Sequence, residues 1–176
     1  MSLRGLWAVL LLLGACAGPV PIDRLPLGDP RSARDALEAA HGEGPIAARV
    51  AGFDDPDDAV ARTRLLASAA RGVPALSPRF VERDGAPMLV VGFDLGARDD
   101  PCAPAPTPAG PLRNVTFAFC DGGFPIAAVR APADGDLQRL YERLGRTLFP
   151  DLYAERYGFR LGPFPITFGG SFGFGR

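Results

Sequence analysis

Two segments of the chain place a glycine-containing turn between two apolar runs. Residues 79–94 read RFVERDGAPMLVVGFD, with the turn at Asp84 and Gly85, and residues 114–131 read NVTFAFCDGGFPIAAVRA, with the turn at 121–123. Glycine tolerates positive φ, and such a turn between apolar runs is typical of a β-hairpin. Both segments are therefore predicted to be hairpins. In the second, a period of two residues puts these side chains on one face: Val115, Phe117 and Phe119.

Three further segments carry helix signals. Residues 31–41 predict a short helix ended by glycine, and residues 54–72 combine an acidic, capped start with Arg71 in the last turn. Four residues of the second helix are expected to line one face, with Leu66 beside them: Val60, Thr63, Ala67 and Ala70. The third helix, residues 134–150, has a single apolar stripe at helical spacing: Leu137, Leu140, Tyr141, Leu144 and Leu148.

These elements, with a strand over 45–53, predict one α+β domain spanning residues 31–150. We expect an antiparallel sheet of about four to five strands with helices packed on one face. Proline and glycine are frequent in residues 16–30, which predicts a tether without regular helix or sheet.

The last segment, residues 151–176, is rich in aromatic residues and glycine. Its apolar residues share one parity, which is strand periodicity with one aromatic face: Phe164, Ile166, Phe168, Phe172 and Phe174. One interpretation is a last strand that completes the core, and a second is an exposed edge that binds a partner's sheet. A third is a disordered end.

Composition narrows the class of protein. The chain has 176 residues, of which 47% are hydrophobic and 22% charged, and its net charge is -1. This balance is typical of one globular domain. A nearly neutral chain has no basic field to hold a phosphate backbone, so nucleic acid is not an expected partner.

The N-terminus has the order of an export signal. Arg4 precedes an apolar run over residues 6–13, and the small pair Gly14 and Ala15 precedes Cys16. The apolar run is too short to span about 30 Å of hydrocarbon. Residues 1–15 are therefore expected to be removed rather than to anchor the chain.

The sequence LGAC at 13–16 resembles the lipobox of bacterial lipoproteins. The resemblance implies that Cys16 becomes the first mature residue and carries acyl chains such as palmitate, which attach the chain to a membrane. Ala17 in place of Asp implies the outer membrane, facing the periplasm. The alternative is an ordinary cleaved signal with the cut at Ala15 or Ala17.

Two cysteines remain, Cys102 and Cys120, and an exported chain enters an oxidising compartment, so they are expected to form a disulfide. A redox pair is the alternative, but no CxxC motif is present.

No residue set predicts catalysis, a metal or a cofactor. His41 is the one histidine, which excludes a three-histidine zinc site, and no histidine follows Ser171 in its GxSxG motif. The acids of residues 54–58 do not fit a calcium-binding loop. Asp99 and Asp100 are expected to be solvated loop carboxylates.

The leading hypothesis is a non-catalytic bacterial envelope lipoprotein whose domain binds another protein or an envelope polymer. A second is a carrier or sensor of a small apolar ligand, held between helices and sheet beneath three aromatic residues: Phe117, Phe119 and Tyr141. A third is a hydrolase that uses carboxylates alone, pairing Asp121 with Glu82 or Glu142.

Overall fold

The computed structural model describes residues 21–51, 58–96, 99–103, 112–133 and 135–151. Within these ranges the chain forms six strands and three helices. In chain order they are β1 (Asp23–Gly28), α1 (Pro30–Glu43), β2 (Ile46–Val50), α2 (Ala59–Gly72), β3 (Phe80–Glu82), β4 (Met88–Phe93), β5 (Asn114–Asp121), β6 (Phe124–Pro132) and α3 (Leu137–Leu148).

The strands form a single sheet in the order β1-β6-β5-β4-β2-β3. Neighbours among β1, β6, β5 and β4 are antiparallel, whereas β2 runs parallel to both β4 and β3. Side chains of all three helices pack against one face of the sheet and form the larger core, which we call the helix-side core. The predicted α+β class is confirmed, and the described sheet is wider than expected and mixed in direction.

The predicted hairpin at 114–131 is confirmed as β5 and β6, which pair from Asn114 opposite Pro132 to Asp121 opposite Phe124. The predicted alternation also holds, because the apolar set of β5 is fully buried against the helices: Val115, Phe117 and Phe119.

The predicted hairpin at 79–94 is wrong. β3 and β4 do not pair with each other, because β2 lies between them and both run parallel to it. Residues 83–87, which we call the crossing segment, connect β3 to β4 by passing over β2. A Cβ on Gly85 would lie 2.9 Å from the Cβ of Ala47 in β2. Asp84 Oδ1 accepts a hydrogen bond from Arg49 Nη2 of β2 at 2.6 Å. A local turn signal is the same for both arrangements, so only the long-range pairing with β2 distinguishes them.

The expectation of an irregular tether over residues 16–30 is wrong for Asp23–Gly28, which forms edge strand β1 against β6. An edge strand tolerates proline because one side of its backbone needs no partner. The pairing shifts register between Arg24 and Gly28, and Gly28 has φ 78 with its Cα against the carbonyl of Ile126. Only glycine fits there.

Two helices begin at side-chain caps. Asp29 Oδ1 accepts from the N–H of Arg31 at 3.1 Å before α1, and Asp136 Oδ1 accepts from the N–H of Gln138 at 2.9 Å before α3. The predicted stripe of α3 is confirmed, with Leu137 half-buried and the remaining members buried: Leu140, Tyr141, Leu144 and Leu148.

The face predicted for α2 from its spacing is not the face that the helix buries. Val60 is 60% exposed, and the buried residues lie on a different face: Leu65, Leu66, Ser68, Ala69 and Gly72. Many alanines make the apolar period of this helix weak, so its orientation depends on the helix that it packs against. Asp58 stands at the N-cap position without a capping hydrogen bond from its side chain.

Helices α2 and α3 cross with their backbones in contact. A Cβ on Gly145 would overlap the carbonyl oxygen of Ala69, and a Cβ on Gly72 would overlap the carbonyl oxygen of Glu142. The two glycines therefore set the distance between the helices, because a closely packed core has no room for an added methyl group at either position.

Substituting Gly145→Ala should lower the free energy of unfolding by about 1–3 kcal/mol, because the new methyl group forces α2 and α3 apart. Gly42→Ala is the matched control: Gly42 is also helical, and a Cβ there meets nothing within 4 Å. The control should leave stability unchanged or raise it slightly. Urea denaturation of both variants measures the difference, and equal effects would contradict the close crossing.

Tyr141 is the one buried side chain in the described ranges whose polar atom has no hydrogen-bond partner. Its ring contacts Phe117 edge to face, with centroids 4.8 Å apart. Burial raises the pKa of the Tyr141 hydroxyl far above its usual value because the phenolate would lose its hydration.

We expect Tyr141→Phe to stabilise the domain by about 1 kcal/mol at neutral pH, because it removes a desolvated hydroxyl and keeps the ring contact. Above about pH 10 the unfolded chain ionises this tyrosine and the folded chain does not, so stability falls as pH rises. The variant should lose less stability between about pH 9 and 11. Chemical denaturation across this range tests both effects, and a destabilised variant would show that the hydroxyl has a partner.

Candidate functional site

The sheet face opposite the helices, which we call the helix-free face, carries a small apolar cluster that a described residue of the β4–β5 loop joins. Its apolar centre contains Val90, Ala118 and Ala128, together with Cys120, and all four are buried. The loop residue Cys102 packs into the same cluster. This face is therefore a second, smaller core rather than a bare surface.

A disulfide between Cys102 and Cys120 holds the loop on this face, with 5.9 Å between the two Cα atoms. Cys120 lies in β5 beside Met88 of β4, in the middle of the sheet. The predicted bridge is thus present, and it joins the loop between β4 and β5 to the strand that ends that loop.

Asp94 closes the base of the same loop. Its carboxylate Oδ1 accepts from the N–H groups of both Arg113 and Asn114 at 2.8 Å, and its own N–H donates to the carbonyl of Asn114 at 3.0 Å. Asp94 has φ 51, a conformation that aspartate tolerates better than most residues. The chain therefore leaves and re-enters the sheet at one point.

Two polar residues, Thr116 of β5 and Arg130 of β6, lie opposite each other in the sheet. Arg130 Nε donates to Thr116 Oγ1 at 3.2 Å, and its Nη2 donates to the carbonyl of Gly96 at 3.1 Å. Leu95 packs where a Cβ on Gly92 would stand. The guanidinium of Arg130 is thus occupied in holding the start of the loop to the sheet.

The loop carboxylates have structural partners. Asp99 Oδ2 accepts from the N–H of Gly96 at 2.5 Å, and Asp100 Oδ1 accepts from the N–H of Cys102 at 2.9 Å. No group of three metal-ligating side chains occurs in the part of the chain that the structure describes. These acids stabilise turns, in keeping with their predicted place in a loop.

The tip of the β5–β6 hairpin presents an aromatic side chain to solvent. Phe124 is 77% exposed and follows Gly122 and Gly123, which both have positive φ. The half-buried side chains of Leu25, Leu27 and Met88 pack against the smaller core of the helix-free face. Sequence reasoning missed Phe124 as a surface residue, although its position after a glycine pair marks the tip of a turn.

Two surface clefts lie elsewhere. One, of about 180 Å³, lies between the end of α1 and the crossing segment, where Arg83 Nη2 donates to the carbonyl of Pro45 at 2.6 Å. The other, of about 460 Å³, is bounded by Arg71, Leu76 and Glu142. Neither contains a nucleophile paired with a base.

The hydrolase hypothesis pairs Asp121 with Glu82 or Glu142, and the sheet keeps Asp121 apart from Glu82. Three strand spacings, about 14 Å, separate β5, which ends at Asp121, from β3, which ends at Glu82, and glycosidase carboxyl groups lie roughly 5–10 Å apart. Glu82 Oε2 pairs with Arg62 Nε at 2.9 Å, and Glu142 Oε1 pairs with Arg146 Nη2 at 3.3 Å. Both glutamates thus have structural partners.

The aromatic residues of the carrier hypothesis belong to the helix-side core. Phe117, Phe119 and Tyr141 are fully buried, and Phe119 contacts Phe149 edge to face with centroids 5.2 Å apart. Neither of the clefts is lined by these rings. His41 is exposed in the last turn of α1, where its carbonyl accepts from the N–H of Gly44 at 3.3 Å.

The remaining predicted site residues lie outside the described residues. These are the lipidation residue Cys16, the serine Ser171, most of the acidic run, and the aromatic residues of the C-terminal segment: Phe164, Ile166, Phe168, Phe172 and Phe174. None of the helices in the described ranges is long and apolar enough to cross a membrane.

No family model matches this chain, and no curated protein matches it. Among solved structures, the chain is similar to the dodecamer of a single-residue variant of PelC from Paraburkholderia phytofirmans. The match has 12% sequence identity and a TM-score of 0.33, and it covers 74% of this chain and 92% of that chain. A TM-score of this size does not establish a shared fold.

Replacing Cys102 and Cys120 together by serine should lower the free energy of unfolding by about 3 kcal/mol, since the bridge closes a loop of moderate length. The helix-side core should keep its structure because the disulfide lies on the opposite face. Calorimetry of the oxidised, reduced and double-serine proteins measures this. Equal stability of all three would show that the bridge does not hold the loop.

Proposed function

We propose that this protein is a lipid-anchored lipoprotein of the bacterial envelope whose domain binds another envelope protein or a polymer without catalysing a reaction. The anchor is Cys16, which follows an export signal with the order of a lipobox. Several acyl chains give lasting attachment, whereas one chain gives only marginal binding. The expected location is the outer membrane, on the periplasmic side.

The observation that carries the proposal is the Cys102–Cys120 disulfide. A structural disulfide persists in an oxidising compartment such as the periplasm and is rare in the cytosol. The bridge therefore supports export independently of the N-terminal residues. It also fixes Cys102 against the helix-free face.

The short stretch between Cys16 and β1 supports a position of the domain close to the membrane. Residues 17–22 separate Cys16 from Asp23, and an extended chain spans at most about 3.6 Å per residue, or about 25 Å over this stretch. The domain is thus held close to the lipid surface, and a partner must be within reach of that surface.

Several charged side chains of the domain make structural contacts, which favours a binding function over a catalytic one. Arg49 pairs with Asp84, and Arg62 pairs with Glu82. Arg130 donates to the carbonyl of Gly96. The proposed contact with a partner is the alternating aromatic segment, residues 164–174, whose glycine-rich backbone allows close approach of another chain.

We expect a dominant crosslinked partner in intact cell membranes for the full chain and its loss for a chain ending at Gly162. Cys16→Ser should abolish incorporation of labelled palmitate and release the protein from the membrane fraction. Mass spectrometry of the crosslinked species and fractionation of the cells measure these outcomes.

Phe124→Ser serves as the control variant, because it removes an exposed aromatic residue from the hairpin tip and leaves the C-terminal segment intact. It should retain the crosslink. If neither the full chain nor the shortened chain captures a partner, the binding function is wrong, and labelled palmitate on the Cys16→Ser protein would contradict the anchor.

A further inference from the structure

In the described part of the chain, the edge strand β3 has a neighbour on one side only. Ile46 N donates to the Arg79 carbonyl at 2.8 Å, and Arg83 N donates to the Ala48 carbonyl at 3.1 Å. Backbone groups alternate in direction along a strand, so the N–H and C=O groups of Phe80 and Glu82 point away from β2. Within the described ranges β3 pairs with β2 alone.

The end of α3 brings the chain to this edge. The ring of Phe149 stacks on the ring of Phe80, with centroids 6.4 Å apart, and the described residues end at Asp151. The aromatic segment begins at Phe164. Residues 152–163 can span roughly 40 Å when extended.

The side chains of β3 match the alternation of the aromatic segment. Phe80 belongs to the helix-side core, whereas Val81 pairs with Ala47 in the sheet and is half-buried. A strand added next to β3 would extend both sheet faces. Aromatic residues of one parity would continue the helix-side core, and the small residues of the other parity would continue the opposite face.

We propose that residues 164–174 pair with the free edge of β3 in the same chain and become the outermost strand of the sheet. This arrangement satisfies the outward backbone groups of Phe80 and Glu82, which an exposed edge would leave open to aggregation. The new strand then presents its own glycine-rich outer edge.

The opposite edge, β1, is a less favourable place for the segment. It lies five strand spacings from β3, about 24 Å across the sheet. The ring of Phe149 stacks on the ring of Phe80 in β3, so α3 ends on the β3 side of the sheet.

Hydrogen exchange of the purified lipidated protein in detergent micelles, read at single amides by NMR, tests the pairing without any partner present. The amides of Phe80 and Glu82 should exchange at least about tenfold faster in a chain ending at Gly162 than in the full chain. The double variant Phe164→Ser with Phe168→Ser should show the same acceleration. Thr167→Ser, on the other parity of the segment, should leave exchange unchanged.

Equal exchange at Phe80 and Glu82 in all four proteins would overturn the proposal. Acceleration at Asp23–Gly28 instead of β3 would assign the segment to the other edge and also overturn it. Protection of β3 that disappears on dilution would show that a second copy supplies the strand, which contradicts pairing within one chain. The crosslinking experiment reports on the partner separately, so loss of a partner with intact β3 protection would contradict only the proposed function.

Discussion

The packing of helix α3 onto the central strand β5 is the contact on which the rest of the structure depends. Tyr141 meets Phe117 and Phe149 meets Phe119, each pair edge to face at the middle of the sheet. Such pairs add about 0.5–1.5 kcal/mol each to the burial of the rings. Because Gly145 also brings α3 against the backbone of α2, this one helix sets the position of a second helix and of the sheet.

All three helices pack on one face of the sheet, so the apolar residues of the helix-free face form a separate, smaller cluster. The described residues of the loop between β4 and β5 are held by the Cys102–Cys120 bridge, by Asp94 at the base of the loop and by Arg130 at its start. A small apolar cluster with a covalent link can replace a layer of helix, because the disulfide limits the conformations of the unfolded chain. The domain therefore has two unequal cores on one sheet.

The elements predicted correctly are those whose signals are local and strong. The stripe of α3 and the alternation of β5 have clear periods, and both segments bury the predicted residues. The predictions are wrong where the same local sequence signal fits two different arrangements of the chain. A turn at Asp84 and Gly85 serves a crossing over β2 as well as a hairpin, and the proline-rich residues before α1 serve an edge strand as well as a tether.

By itself the sequence determined the α+β class, the strong hairpin, the amphipathic α3 and the pairing of two cysteines, since each depends on period, turn residues or count. Only the tertiary structure decided the strand order, the buried face of α2, and the role of Asp94 and Arg130 in holding the loop. These features depend on contacts between residues far apart in the chain. The free energy of such contacts comes from close packing and burial, which a local sequence pattern does not reveal.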